Sequence, residues 1–281
     1  MYSITVLIAT SQQRTDWLIG RSLPSVYRQE GISPQQIKVL IVDDNQNEDE
    51  TPKIRAGIEF LRTSLALPAN HFQTNLIHNA KTKHMSGTGG WNTGIEHIYQ
   101  QYPLGFTSIL DDDDEYLSHH LFDCIQELTT DTIAVFQHLF WLFSDGKKMF
   151  LPFCSEDLTP ENFFIGNPGV QGSNMFFKTE LLVKIQGFDE TLPNTTDRDL
   201  MIRFLWYAQE HNLLSNIKII ENIGVKHYAH NRPKVNNNLP LKQIGLDLFY
   251  KRYRSFFSQE AYERSIVRAQ QFFKYSPPKQ L

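Results

Sequence analysis

Residues 111–115 read Asp-Asp-Asp-Asp-Glu, directly after the apolar run Phe106–Leu110. A second acidic group, Asp43-Asp44-Asn45, directly follows the apolar run Lys38–Val42. Carboxylates delivered to one edge repel one another unless a cation or a cationic ligand sits between them. A hard divalent ion with oxygen ligands is the natural solution. Asp and Asn also favour helix caps and turns, so Asp43–Asn45 alone reads either way. Four consecutive aspartates exceed what a cap needs and carry a like-charge cost. Three further groups could take part. Arg14 follows the first apolar run, Asp197 opens a helical segment, and His227 and His230 stand in Lys-His-Tyr-Ala-His.

The elements that must position these residues are legible from the pattern. Ile4–Ala9, Lys38–Val42, Thr74–Ile77 and Phe106–Leu110 read as strands, their starts about 30 to 36 residues apart. That interval holds a strand, a crossover helix and two loops. Helical periodicity fills the gaps at Asp16–Gln29, Thr51–Leu65 and Asn92–Gln101. Alternation of this kind implies an α/β fold, a mostly parallel Rossmann-like sheet flanked by helices. Ligands of such sheets bind outside the carboxyl ends of the strands, which is where the acidic groups fall. Further on, Thr132–Phe143 and Ile217–Ile220 read as strands, Thr179–Gln186 and Asp197–His211 as helices, and Asn162–Gly172 as a loop. Asn231–Pro240 reads as a linker, so a body over 1–235 is expected with a helical extension over 236–281.

Composition bounds the function classes. The chain has 281 residues, 41% apolar and 21% charged, with a net charge of −4, enough for one large α/β domain. Two cysteines cannot form a disulfide framework and match a reducing compartment. The mildly acidic balance argues against a nucleic-acid binder. No stretch is long and apolar enough to span a membrane, and no basic leader precedes the first strand, so a soluble, cytoplasmic protein is expected. No G-x-x-x-x-G-K-[ST] occurs. Gly87-Thr88-Gly89-Gly90-Trp91-Asn92 lacks the last glycine of a dinucleotide fingerprint and does not follow the first strand.

Several segments together resemble the inverting family 2 glycosyltransferases with the GT-A fold. Ile4-Thr5-Val6-Leu7-Ile8-Ala9-Thr10, Arg14 and Leu23-Pro24-Ser25-Val26-Tyr27-Arg28-Gln29 are similar to that family's opening. Ile41-Val42-Asp43-Asp44-Asn45 is similar to its second strand, and Leu110 to Asp114 to its D-x-D motif. Gly187-Phe188-Asp189-Glu190, then Thr196-Asp197-Arg198-Asp199-Leu200 and Arg203, are similar to its G-F-D-E and E-D-x-D-L elements. The likeness covers roughly residues 3 to 230. Thr196 departs from the family's usual Glu, Trp91 from a common Arg, and Ser118 from a frequent Pro.

The resemblance implies transfer of a sugar from a nucleotide diphosphate, with UDP the expected nucleotide. It implies Asp197 as the general base. It implies Asp113, supported by Asp111, as the clamp for Mn²⁺ or Mg²⁺, with His227 or His230 near the metal or the phosphate. Thr10, Arg14, Asp44 and Asp112 are expected at the nucleotide, and Asp44 would accept from a base N–H. Gly172, Ser173, Asn174 and Asp199 are expected at the acceptor, a carbohydrate or lipid-linked hydroxyl. Two other functions are weighed beside it, a nucleotidyltransferase of related topology and a catalytically silent nucleotide-sugar-binding protein. The first would carry a basic, glycine-rich loop after the first strand, and Ser11–Asp16 has no glycine.

Charge is unevenly spread. From Pro240 onward eight basic residues face three acidic ones, so that segment carries +5 and the first 239 residues carry −9. Its aromatics, Phe249 to Tyr275, are interleaved with the basic residues. They read either as a helical pair packed on the body or as an interfacial surface for an anionic membrane. The sequence leaves a peripheral membrane contact and a homo-oligomer open.

Overall fold

Four apolar runs become the parallel half of one sheet. In the computed structural model, which describes residues 2–11, 13–46, 49–79, 81, 87–229 and 239–277, these strands are β1 (Ile4–Thr10), β2 (Ile37–Asp43), β3 (Gln73–His78) and β4 (Phe106–Ile109). Their order is β3-β2-β1-β4, every neighbouring pair parallel. The chain therefore reverses its direction of winding between β1 and β4, the switch point at which such sheets bind ligands.

The sheet continues as β8 (Met175–Lys178), β6 (Ala134–Leu142), β9 (Ile217–Tyr228) and β5 (Glu115–Tyr116), with β7 (Lys148–Phe150) on the side of β6. β8 runs antiparallel to β4 and β6, whereas β9 runs parallel to β6.

Both faces of β1 are buried. Leu7 packs with Leu40, Val42, Ile95 and Ile109 on one side, and Val6 and Ile8 pack with Val26, Ile41 and Ile54 on the other. A parallel strand covered on both faces reads as an unbroken apolar run, which is why these strands stand out in the sequence. The covering helices are α1 (Thr15–Trp17), α2 (Leu23–Tyr27), α3 (Glu50–Ser64), α4 (Thr88–Gln101) and α5 (His120–Gln126). After them come α6 (Pro160–Ile165), α7 (Thr179–Lys184), α8 (Thr196–Glu210), α9 (Leu239–Tyr253) and α10 (Gln259–Phe273).

Three elements differ from the sequence reading. The helix expected over Asp16–Gln29 is divided by a π-helical turn, Leu18–Ser22. The loop expected from Asn162 onward begins as α6, because Thr159 accepts from the Asn162 N–H at 3.2 Å and Pro160 occupies the first turn. The strand expected over Ile217–Ile220 extends to Tyr228 through a register shift opposite Gln137 and His138. That irregularity breaks the apolar alternation at Glu221-Asn222, yet pairing resumes and carries His227 to the sheet edge.

The extension packs on the body. Phe249, Tyr250, Tyr253 and Phe257 are buried in the same core as Phe163, Phe164 and Phe204. Ser265 of α10 donates to the Phe164 carbonyl of α6 at 2.8 Å. Of the extension's aromatics, Phe256 and Phe272 are exposed. Among the described residues no helix is long and apolar enough to cross a membrane.

Candidate active site

The carboxyl ends of β1, β2 and β4 converge at the switch point. Asp44 N–H donates to the Thr10 carbonyl at 2.8 Å, which lays Asp43-Asp44-Asn45 beside the end of β1. Asp43 serves this turn. It accepts from the Asn45 backbone and side chain at 3.0 and 2.8 Å, and from the Thr51 hydroxyl. Asp44 instead faces the edge, accepting from Asn79 Nδ2 at 2.7 Å. The N-terminus of α4 closes over it. A Cβ on Gly90 would lie 3.4 Å from the Asp44 Cβ and 3.3 Å from the Ala9 Cβ, so a small residue lets the helix approach this closely. The Thr10 hydroxyl beside it is buried, with no hydrogen-bond partner among the described residues.

A turn arranges the four aspartates. The Asp114 N–H donates to the Asp111 carbonyl at 3.2 Å, the i to i+3 bond of a β-turn. Asp111 and Asp114 therefore stand at the turn's two ends, and Asp112 and Asp113 occupy its corners. The corners meet Arg14, whose Nε lies 3.2 Å from Asp112 and whose Nη1 lies 3.7 Å from Asp113. The ends meet β9. Pairing of Glu115 with Lys226 in the short β5–β9 ladder sets Asp114 against His227, with Nδ1 to Oδ2 at 2.7 Å. Asp114 also accepts from the Tyr228 N–H at 3.1 Å and from the Ser173 hydroxyl at 2.7 Å. One ligand atom from each of Asp111, Asp114 and His227 lies within 4.8 Å of the others. Two carboxylates and an imidazole are a donor set suited to a divalent transition ion.

This grouping differs from the expected clamp of Asp113 supported by Asp111. Asp113 is turned towards Arg14, and Asp114, which the sequence reading did not single out, takes the place beside Asp111 and His227. The turn's closing bond separates residues 111 and 114 from the corners between them. His230 lies outside the described residues.

Asp197 lies in the first turn of α8, after Thr195, whose φ of 63° is left-handed. Burial and the nearby Asp111 carboxylate push its pKa up to about 7, while the His227 and Lys242 charges pull it down. Asp197 is thus electrostatically coupled to two members of the carboxylate–imidazole group. Lys242 of α9 is 6% exposed, with its Nζ 4.6 Å from the centre of the Phe273 ring. Burial and the Arg198 charge lower its pKa to about 7. In the sequence it was one of eight basic residues in the extension, and nothing in its spacing marks it.

The residues expected at the acceptor have the following partners. Gly172 packs against Asp111, where a Cβ would sit 3.4 Å from Oδ1. Ser173 accepts from the Asp111 N–H at 3.1 Å while donating to Asp114, so it braces the acidic turn. Asn174 is buried and donates to the Gln137 and Gly169 carbonyls at 2.8 and 3.0 Å. Asp199 is buried among Arg203, Arg252 and Tyr253, at 2.7, 2.7 and 2.6 Å. Asn174 and Asp199 thus tie scaffold segments together. Asn92 bridges α4 to the Gly187-Phe188-Asp189-Glu190 loop, accepting from the Phe188 N–H at 2.8 Å and donating to its carbonyl and to Glu190. Gly187, at φ 60°, allows that approach.

Comparison with known proteins gives this site a context. The family model described as glycosyl transferase family 2 matches residues 8–185. The chain belongs to that family. It is similar in fold to TarS from S. aureus, at 15% identity and a TM-score of 0.56, covering 99% of this chain and 50% of that one. A structure of TarS 1–349 in complex with UDP-GlcNAc aligns with a TM-score of 0.58 and 15% identity, over 97% of this chain and 82% of that one. The mannosyltransferase PcManGT from Pyrobaculum calidifontis, in complex with GDP-Man and Mn²⁺, aligns with a TM-score of 0.56 and 14% identity over 96% of this chain and 69% of that one. This chain thus spans half the length of the full TarS chain. None of the curated proteins matches it in sequence. The mixed α/β sheet flanked by helices is that of the GT-A glycosyltransferases.

Proposed function

We propose that the protein is a divalent-metal-dependent, inverting glycosyltransferase. It moves a sugar from a nucleotide diphosphate, with UDP the expected nucleotide, to a hydroxyl of a glycan or a lipid-linked acceptor. The observation that carries this reading is the assembly of Asp111, Asp114 and His227 at the switch point, with Asp197 within reach of the Asp111 and His227 charges. The donor set fits a metal, and the imidazole favours Mn²⁺ over Mg²⁺. When bound there, the ion neutralises charge growing on the leaving diphosphate.

The chain's own residues supply the remaining roles. Asp44 and the Thr10 hydroxyl, which has no partner among the described residues, offer the nucleoside an acceptor and a donor beside the N-terminus of α4. Arg14 fixes the Asp112 and Asp113 carboxylates and places a cation at the donor side. Asp197 takes the proton from the attacking hydroxyl. Because one base serves a single displacement, the anomeric configuration inverts. A rise of its pKa to about 7 suits a base working near neutral pH.

The test is release of nucleoside diphosphate from a panel of UDP- and GDP-sugars, with and without Mn²⁺, for wild type and Asp114→Ala. Metal-dependent release by the wild type is expected, with a loss of at least about 100-fold in the variant, the scale of removing a group that stabilises transition-state charge. Equal rates for the two proteins would remove Asp114 from the site. Binding of a nucleotide sugar with no release, whatever the acceptor, would favour the silent binding protein.

A further inference from the structure

The π-helical turn Leu18–Ser22 presents two consecutive residues to the acidic turn. Ser22 Oγ donates to the Asp112 carbonyl at 3.1 Å, and Arg21 Nη1 donates to the Asp113 carbonyl at 3.0 Å. In a regular α-helix, neighbouring side chains point about 100° apart, and π turns recur at functional sites where that spacing has to change. Arg21 does a second thing. Its guanidinium lies over the Tyr228 ring, 3.7 Å from the centroid, and the Tyr228 N–H is itself a donor to Asp114. Tyr228 is held from the other side, its hydroxyl donating to Glu115 at 2.6 Å, and Lys226 bonds the same carboxylate.

Arg21 therefore joins the two segments that carry the candidate metal ligands, the acidic turn (Asp111, Asp114) and the end of β9 (His227). Their separation sets the distance between the carboxylates and the imidazole. We infer that Arg21 is a positioning residue for the cation site, acting through the Asp113 carbonyl and the Tyr228 ring and not as a ligand. The inference rests on the metal reading above.

Mn²⁺ alone, without nucleotide, is titrated into wild type, Arg21→Ala and Arg21→Lys, and the free ion is followed by its paramagnetic resonance signal. Melting temperature is measured on the metal-free proteins. Outer partners of metal ligands typically contribute about 10- to 100-fold in affinity. Arg21→Ala is expected to weaken Mn²⁺ binding by that factor while its metal-free melting temperature stays close to wild type. Arg21→Lys keeps a donor and a charge without the flat face that covers Tyr228, and is expected to fall between the two. Wild-type affinity in Arg21→Ala overturns the inference and leaves the metal reading standing. So does a loss that Arg21→Lys does not lessen, or one that follows a fall in melting temperature. A wild type that binds no Mn²⁺ overturns both.

Discussion

Asp197→Asn is expected to lower kcat by about 10²- to 10⁴-fold, the range that general-base catalysis contributes. The amide keeps the shape of the carboxyl and cannot take the proton. The same group sets the pH profile. A base works only when ionised, and burial together with Asp111 raises the Asp197 pKa to about 7. With Mn²⁺ present, kcat/KM should therefore fall on the acid side as Asp197 takes up a proton, at about pH 7 or below. A bound divalent cation offsets the Asp111 charge and moves that limb to lower pH, so the limb should depend on Mn²⁺ concentration. Stability should move the other way. A carboxyl whose folded pKa lies above its unfolded value costs stability once the pH exceeds the unfolded value, near 4. At pH 8 Asp197→Asn should melt at or above the wild-type temperature. A variant that loses activity and also melts well below wild type at pH 8 would indicate a structural aspartate.

The second large effect is on folding. Asp199→Ala is expected to destabilise the protein by about 3 kcal/mol, the lower end of the range for breaking a buried ion pair. The Asp199 carboxylate is fully buried, with Arg203 on one oxygen and Arg252 and the Tyr253 hydroxyl on the other. Both arginines are partly exposed, and Arg252 keeps Asp189 when Asp199 is removed, which holds the cost to that lower end. Arg252 and Tyr253 belong to α9, whereas Asp199 lies in the first turn of α8, two residues from Asp197. The network thus ties the basic extension to the helix that carries the proposed base. Urea unfolding followed by circular dichroism measures the cost. A change below about 1 kcal/mol would show that the network contributes no more than a surface pair.

The parallel half of the sheet was legible because strands buried on both faces leave unbroken apolar runs, and β1, β2 and β4 fall within a residue or so of their expected ends. The edge at which the acidic groups gather followed from the same reasoning. What was not legible depends on contacts between segments far apart in sequence. The choice between Asp113 and Asp114 turns on a single backbone bond closing residues 111–114 and on a two-residue ladder to β9. The apolar pattern of β9 stops at Ile220 because an irregularity interrupts its alternation. Lys242 reaches the neighbourhood of Asp197 only because α9 packs there. For Asn174 and Asp199 the family resemblance implied a place at the acceptor, and their partners among the described residues are carbonyls, arginines and a tyrosine of the scaffold. One missed signal was local, the Thr159-Pro160 pair that opens α6.

Net charge shows the same limit. The −9 of the first 239 residues includes the carboxylates at the switch point, and the +5 beyond them is partly neutralised inside the molecule by Asp189 and Asp199.

The most direct test of the site is a crystal structure with Mn²⁺ and UDP, the ion located by its anomalous scattering. A peak bound by Asp114, Asp111 and His227 and by the diphosphate is expected, with the nucleoside against Asp44 and Thr10. A peak held by Asp113 away from His227, or a nucleotide bound elsewhere on the molecule, would contradict it.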